Sequence, residues 1–263
     1  MAARAIWKGV LKVGSVELPV KLYAAVEDRK VHFHMLQGDK KTRVKQQMVD
    51  EPGKAVAREE IRKGYEVEPG TFVVIEDEEL EQLKPEESRE ISTLRFVPPS
   101  EVTSDWYERP YYLGPDGADH EEKYFALVEA LQNREVVGIV RWSMRGKAYI
   151  GALTTEGDHL MLIKTRYSEE VIARGLSAPS GSPLEEKELR MAHELVSALA
   201  GDFQSEDFHD DYRKRVADFV EAKAKGKHPR LPVIKEKETS GSLDAQLSRS
   251  LAALKRGKEK KIA

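Results

Sequence analysis

The sequence predicts a mixed, β-rich fold with helices: a barrel or sandwich of short strands followed by a helical C-terminal part. Three observations predict it. Roughly eight to ten short β-compatible runs are separated by Gly, Pro or Asp punctuation. One amphipathic helical pattern interrupts them, and after Ala178-Pro179-Ser180-Gly181 the apolar period becomes helical.

Residues 4–11 and 15–24 read as a hairpin about Lys12-Val13-Gly14, and further strands are expected at 31–36, 43–50, 71–75, 89–96 and 106–113. The acidic run Glu76, Asp77, Glu78, Glu79 and Glu81 leads a predicted helix, because carboxylates complement the positive end of the helix dipole. Gly114-Pro115-Asp116-Gly117 reads as a turn. In residues 120–134, Tyr124, Leu127, Val128 and Leu131 recur at helical spacing, a stripe that packs on a barrel. Residues 135–144, 148–154 and 159–164 form a three-stranded meander, turned at Arg145-Gly146 and Glu156-Gly157-Asp158. Ser182 is the expected N-cap of the next helix, with Pro183 in its first turn and Glu185 completing a capping box; Met191, Leu195, Val196 and Leu199 carry it to about residue 200. A second helix, 208–225, uses Tyr212, Val216, Phe219 and Val220. Residues 226–241 read as a linker. Leu243, Leu247, Leu251 and Leu254 line one side of a last short helix, which either docks back on the core or meets a partner. Trp7, Trp142 and Tyr112 are expected to pack in the core.

The 263 residues allow one large domain with a tail or two modest domains. The chain has no cysteine, which excludes disulfides, thiol nucleophiles, iron–sulfur clusters and thiolate zinc sites. No apolar run reaches the ~18 residues of a membrane span, and residues 1–11 lack the apolar block of a secretory signal; a cytoplasmic location is expected. The net charge of −3 conceals an asymmetry. Residues 1–47 carry 10 Lys or Arg against 4 Asp or Glu, residues 48–212 carry 18 against 36, and residues 213–263 carry 15 against 6. Basic ends flanking an acidic middle suit a polyanion-binding surface better than a site for small neutral substrates, although solvated surfaces also segregate charge.

Catalytic signatures are thin. Phosphate-cradling glycine loops and a G-x-S-x-G elbow are missing from the sequence. Pro115-Asp116 followed by Glu121-Glu122-Lys123 has a nuclease-like composition, but reads first as a turn and an exposed helix start. His32 and His34 would share one strand face without a third ligand nearby, and read as half-buried strand residues. His209-Asp210-Asp211 and Asp158-His159 are isolated pairs. No catalytic residue, metal or cofactor is implied.

The more informative stretch is 29–63, which holds Arg29, Lys30, Lys40, Lys41, Arg43, Lys45, Lys54, Arg58, Arg62 and Lys63 against five acids. In a strand over 43–50, Arg43, Lys45 and Gln47 would share one side. Duplex DNA presents one phosphate charge per ~1.7 Å of axis, so repeated cations can track its backbone without reading bases. Aromatic residues are not interleaved with these cations, which disfavours a single-strand stacking platform. From composition alone the chain is a β-rich nucleic-acid-binding module; a nucleic-acid enzyme and an RNA-binding or architectural barrel are the alternatives.

The ordered motifs Arg4-Ala-Ile-Trp-Lys-Gly9, Leu18-Pro-Val-Lys-Leu-Tyr23, Val31-His-Phe-His34, Lys63-Gly-Tyr-Glu66 and Phe72-Val-Val-Ile75 closely resemble the bacterial Ku family. So do Arg109-Pro-Tyr-Tyr-Leu113, Tyr124-Phe-Ala-Leu127, Val140-Arg-Trp142, and Tyr212-Arg-Lys-Arg-Val216 continuing to Glu221-Ala-Lys-Ala-Lys-Gly-Lys227. The resemblance spans about residues 4–227. It implies a Ku-type β-barrel core over 1–180 with a DNA-encircling bridge, mapped here to 29–63. A helical C-terminal arm over 181–227 would serve dimer and ligase contacts, with Tyr212, Arg213, Arg215 and Phe219 as its contact residues. A basic tail with a short amphipathic helix follows over 228–263. It further implies a homodimeric ring on double-stranded DNA ends, without sequence preference, in non-homologous end joining in the nucleoid. A multifunctional ATP-dependent DNA ligase would be its partner.

Overall fold

The computed structural model describes residues 4–39, 41–86, 88–172, 185–226 and 245–253. Its strands are β1 (Trp7–Val13), β2 (Val16–Ala24), β3 (Leu36–Gln37), β4 (Thr42–Arg43), β5 (Lys63–Glu68), β6 (Thr71–Ile75), β7 (Glu90–Val97), β8 (Tyr107–Pro115), β9 (Val137–Met144), β10 (Lys147–Glu156) and β11 (His159–Thr165). The helices are α1 (Asp77–Gln82), α2 (Glu121–Arg134), α3 (Glu186–Leu199) and α4 (Asp211–Ala224). Residues 245–253 are also helical. The chain forms two compact units, one of Met1–Arg29 with Phe33–Gly175, the other of Lys30–His32 with Leu176–Ala263.

The first unit contains a closed seven-stranded barrel in the order β1-β2-β8-β11-β10-β9-β7. Its neighbours pair antiparallel except at the seam, where β1 and β7 run parallel over Val10↔Glu90, Leu11↔Ile91 and Lys12↔Ser92. Closure removes the exposed edges that a seven-stranded open sheet would carry. At the seam, Gly9 has no room for a side chain: a Cβ there would collide with the Trp7 ring and the Arg89 carbonyl. Gly151 is similar, because its Cβ would stand 2.6 Å from the Ile163 carbonyl oxygen and 2.7 Å from the Trp142 ring.

Alternation along the strands sends Leu11, Leu18, Val20, Leu22, Ile91, Leu113, Val140, Trp142, Leu153, Leu160 and Leu162 into the core. The stripe of α2 buries Tyr124, Val128 and Leu131 against it. Tyr124 anchors this helix. Its hydroxyl donates to the Leu113 carbonyl at 2.6 Å and accepts the Leu160 amide at 2.7 Å, joining β8 and β11 where those two residues pair. Burial, opposed in part by the Leu160 amide, raises the pKa of this phenol.

The hairpin, the meander, β6, β7 and α2 lie where the sequence predicts them, with shifted ends. The first turn falls at Gly14-Ser15, since Val13 pairs with Val16. Gly114 and Pro115 end β8, pairing with Lys21 and Val20, and are not part of a turn. Tyr112 is a correction: alternation buries Tyr111 and turns Tyr112 outward, where its hydroxyl donates to Glu156 at 2.8 Å. Trp142 is buried, and Trp7 packs against the core while partly exposed.

Between β2 and β7 the chain leaves the barrel, and here the expectations fare worst. A strand over 31–36 shrinks to Leu36–Gln37, and one over 43–50 to Thr42–Arg43. His32 and His34 are exposed on non-strand backbone. The shared side of Arg43, Lys45 and Gln47 therefore dissolves, since a two-residue ladder fixes no alternation beyond Arg43. Residues 63–68 form an unpredicted strand, closing a hairpin with β6.

In the second unit, α3 is capped by Glu185, whose side chain accepts the Glu188 amide while Glu188 reaches back to the Glu185 amide. The expected cap Ser182 and Pro183 lie outside the described residues, as do most of the linker and the end of the tail. The α4 helix begins later than predicted, with Asp210 accepting the Arg213 amide at 2.9 Å as its N-cap. In the last helical segment Leu247 is buried and Leu251 partly so. No described helix is long and apolar enough to cross a membrane.

Candidate nucleic-acid interface

The excursion from β2 to β7 is a succession of narrow hairpins. β3 and β4 make the first, extended by the Val44 amide on the Met35 carbonyl at 3.2 Å. The second folds about Asp50-Glu51-Pro52-Gly53, with Val49 bridging Ala55 and the Val56 amide on the Met48 carbonyl at 3.0 Å. The third is β5–β6, turned at Pro69-Gly70, where Gly70 takes a φ of 81° and donates to the Glu66 side chain at 2.8 Å. Among the described residues from 23 to 90 none is buried. Phe33, Met35, Met48, Tyr65, Phe72 and Val74 are all more than half exposed. Two-stranded ribbons with both faces in water are marginal by themselves, and contiguous exposed apolar surface marks an interaction site.

The predicted cations are spread over all three hairpins and divide by their partners. Arg29 pairs with Glu27 at 2.9 Å. Arg62 pairs with Glu76 at 3.5 Å and donates to the Glu59 carbonyl at 2.6 Å. Lys63 pairs with Asp77 at 2.8 Å and is the main cause of the lowered pKa of that carboxyl. The β5–β6 register explains both of the last two pairs: Lys63 sits opposite Ile75, so the residues just beyond fall beside each other. Lys30 belongs to the second unit and has an interaction of its own. Lys40 lies outside the described residues. Lys41, Arg43, Lys45, Lys54 and Arg58 are exposed and have no carboxylate partner among the described residues. Lys41 sits at the first hairpin tip with φ 51°, Lys54 closes the second turn, and Arg58 begins a short 3-10 turn before the third hairpin.

The acidic residues with a nuclease-like composition are not arranged as a cation site. Asp116 pairs with Lys21 at 2.8 Å and Lys8 at 3.1 Å, which hold its carboxyl below the ordinary range, Lys21 most. Glu121 and Glu122 are exposed on the first turn of α2. Among the described residues, no group of three or more His, Asp or Glu could hold a metal ion.

Tyr212, Arg213, Arg215 and Phe219 stand on α4. Tyr212 is exposed, Arg215 donates to the Asp211 carbonyl at 3.3 Å, and Lys223 lies 5.3 Å over the Phe219 ring. Neither α3 nor α4 buries a residue, and Leu189, Val196, Leu199, Phe203 and Phe208 are exposed around them. Phe203 and Phe208 stack at 5.3 Å.

The exposed apolar side chains of the excursion were missed in the sequence, as was the strand that carries Tyr65. The available signal was Pro69-Gly70 between two alternating runs, a hairpin marker.

Comparison with known proteins places this architecture. The family model for the Ku70/Ku80 β-barrel domain matches residues 12–191. The non-homologous end joining protein Ku 2 of Geotalea uraniireducens is 37% identical over 227 residues, covering 86% of this chain and 88% of that protein. The corresponding Ku of Koribacter versatilis is 36% identical over 226 residues, 85% of this chain and 77% of the relative. The Ku of Archaeoglobus fulgidus is 32% identical over 256 residues, 96% and 100% respectively.

Proposed function

The chain belongs to the Ku family, and from that membership and the unpaired cations of the excursion we propose that it binds double-stranded DNA ends, whatever their sequence, in non-homologous end joining. The single observation that carries the reading is the contrast within the excursion: Lys41, Arg43, Lys45, Lys54 and Arg58 have no carboxylate partner among the described residues, while Arg62 and Lys63 are paired with Glu76 and Asp77. Those five are the primary phosphate contacts. Arg29, Arg62 and Lys63 contribute by exchanging a carboxylate for a phosphate, and Lys30 and Lys40 extend the same basic run.

Two copies close a ring around the duplex. The support is the set of large apolar side chains that stand exposed on the excursion, which a second copy covers by two-fold symmetry. A closed ring of cations accepts any base sequence, yet is loaded only where the duplex has a free end. Selectivity then resides in DNA topology, and affinity falls with salt by a log–log slope of about 0.9 per phosphate neutralised. No catalytic residue is needed. The helical arm recruits the ATP-dependent DNA ligase of the pathway, in keeping with the uncovered apolar side chains of α3, α4 and their connection; Tyr212, Arg213, Arg215 and Phe219 form part of that surface. The site of action is the nucleoid.

Competition between linear duplex and covalently closed circular DNA of the same sequence tests this. The linear form is expected to compete and the circle to fail; equal competition overturns the ring. Replacing Arg43 and Lys45 by glutamate should weaken binding to every linear duplex alike.

A further inference from the structure

We propose that the barrel itself carries a phosphate-binding pocket, separate from the three hairpins of the excursion, at the rim where β1, the approach to β7 and the β9–β10 turn meet. A cavity of about 540 Å³ opens there, lined among others by Trp7, Lys8, Ser88, Arg89, Ser143 and Arg145. That is ligand-sized.

Each wall has a local cause. Trp7 lies over Gly9, the seam position with no room for a side chain, and so turns its ring into the pocket wall. Arg145 occupies a left-handed position (φ 54°) in the tight turn after Met144, which projects it at the rim. Lys84 crosses the same turn, its methylene carbon 3.1 Å from the place of a Cβ on Gly146. Arg89 comes from the returning end of the excursion, and its carbonyl accepts the Val10 amide at 2.8 Å, so its backbone is fixed by the barrel seam.

The charges do not cancel. Lys8 is tied to Asp116 and Lys84 to Glu81. Neither guanidinium, of Arg89 or of Arg145, has a hydrogen bond or ion pair among the described residues, and none of the described residues that line the cavity is a carboxylate. Two unneutralised guanidiniums on one pocket repel each other until an anion enters. Two arginine forks and the hydroxyls of Ser88 and Ser143 offer more donors than the two oxygens of a carboxylate use, and match a phosphate group. The Trp7 ring supplies a face for the sugar or base attached to that phosphate. The phosphate comes either from a DNA strand, an arm that rests on the end-binding reading above, or from a free phosphate or nucleotide, which does not rest on it.

The test compares the full-length protein with Arg89→Gln/Arg145→Gln. In the first arm, inorganic phosphate replaces chloride at constant ionic strength and the thermal midpoint is followed; it should rise for the parent protein and stay flat for the variant. In the second, affinity for linear duplex is measured against salt; the slope should fall by about 0.9, for the one phosphate the pocket holds. Both changes together assign a strand phosphate, and the first alone assigns a free one. Neither change overturns the pocket. If the parent protein binds no linear duplex, the end-binding reading falls while the phosphate arm still decides the pocket. Should the double variant fail to give a cooperative melt, Arg145→Gln alone, on an exposed turn, must lose the phosphate-dependent rise or lower the slope; if it does neither, the proposal is lost.

Discussion

The barrel and the three hairpins of the excursion belong to one compact unit of the chain, yet they answer opposite questions. In the barrel the inward apolar residues form one core and the ladder is closed, and some outward charges find partners, as Lys12 does with Glu17 at 3.2 Å and Glu90 at 2.6 Å. In the excursion no described residue is buried, large apolar side chains stand in water, and five cations have no acid partner among the described residues. One part stabilises itself. The other is exposed and little packed, the character expected of a binding element attached to a rigid support.

The contrast is tested hardest where the barrel is densest. Trp142 is 2% exposed and stacks on Tyr149 at 5.4 Å. Trp142→Ala should cost about 3–5 kcal/mol in denaturant unfolding, because neighbouring strands cannot close over the missing ring. A loss below about 1 kcal/mol would show that the barrel is not where the stability lies.

Tyr124 comes next. Its ring fills space that phenylalanine also fills, so Tyr124→Phe isolates the hydroxyl. The change leaves the Leu113 carbonyl and the Leu160 amide without their bridging partner in a buried place, and should cost about 1–3 kcal/mol. If the cost is negligible, packing of the α2 stripe alone holds the helix to the sheet.

A smaller effect is expected from pH. Asp116 has its carboxyl pKa depressed by Lys21 and then Lys8, so it binds a proton less readily in the folded than in the unfolded chain. Its contribution is therefore complete above the ordinary value of 3.8 and disappears as pH falls through the lower folded value. Asp116→Asn should lower the thermal midpoint at neutral pH slightly and flatten the acid limb of the midpoint-against-pH curve. An unchanged acid limb would mean that the link between β1, β2 and the end of β8 carries no stability.

The same contrast explains what was legible in the sequence. The β9–β11 meander and α2 were readable because their apolar residues point at one core, so the period is regular and the turns are marked by Arg145-Gly146 and Gly157-Asp158. Trp142 is buried as expected of a large aromatic in a predicted strand, whereas the same expectation fails at Tyr112. The parallel seam between β1 and β7 left no local mark, since it joins residues some 80 positions apart. In the excursion the period signal fails for a physical reason: with no core to face, Tyr65, Phe72 and Val74 obey no inside–outside rule. The cationic run was visible as composition. Which cations were neutralised was not, because Arg62 and Lys63 meet Glu76 and Asp77 only through the β5–β6 hairpin, a strand of which went unrecognised.

The smallest expected change in stability is the one that separates the two regions most cleanly. Lys54 and Arg58 are exposed, have no acid to lose, and lie where no neighbour is buried. Lys54→Gln/Arg58→Gln should leave the unfolding free energy within about 0.5 kcal/mol of the parent, the ordinary range for a surface exchange. The Lys54 amide bond to Asp50 at 2.7 Å is made by the backbone and survives the change. Affinity for linear duplex should nevertheless fall, with a salt slope smaller by about 1.8 if both side chains neutralise a phosphate. The two readings move independently only if the excursion is a binding element carried on a barrel that does not need it. A variant that loses stability along with affinity would mean that these cations brace the fold, and a variant that loses neither would remove the second hairpin from the interface.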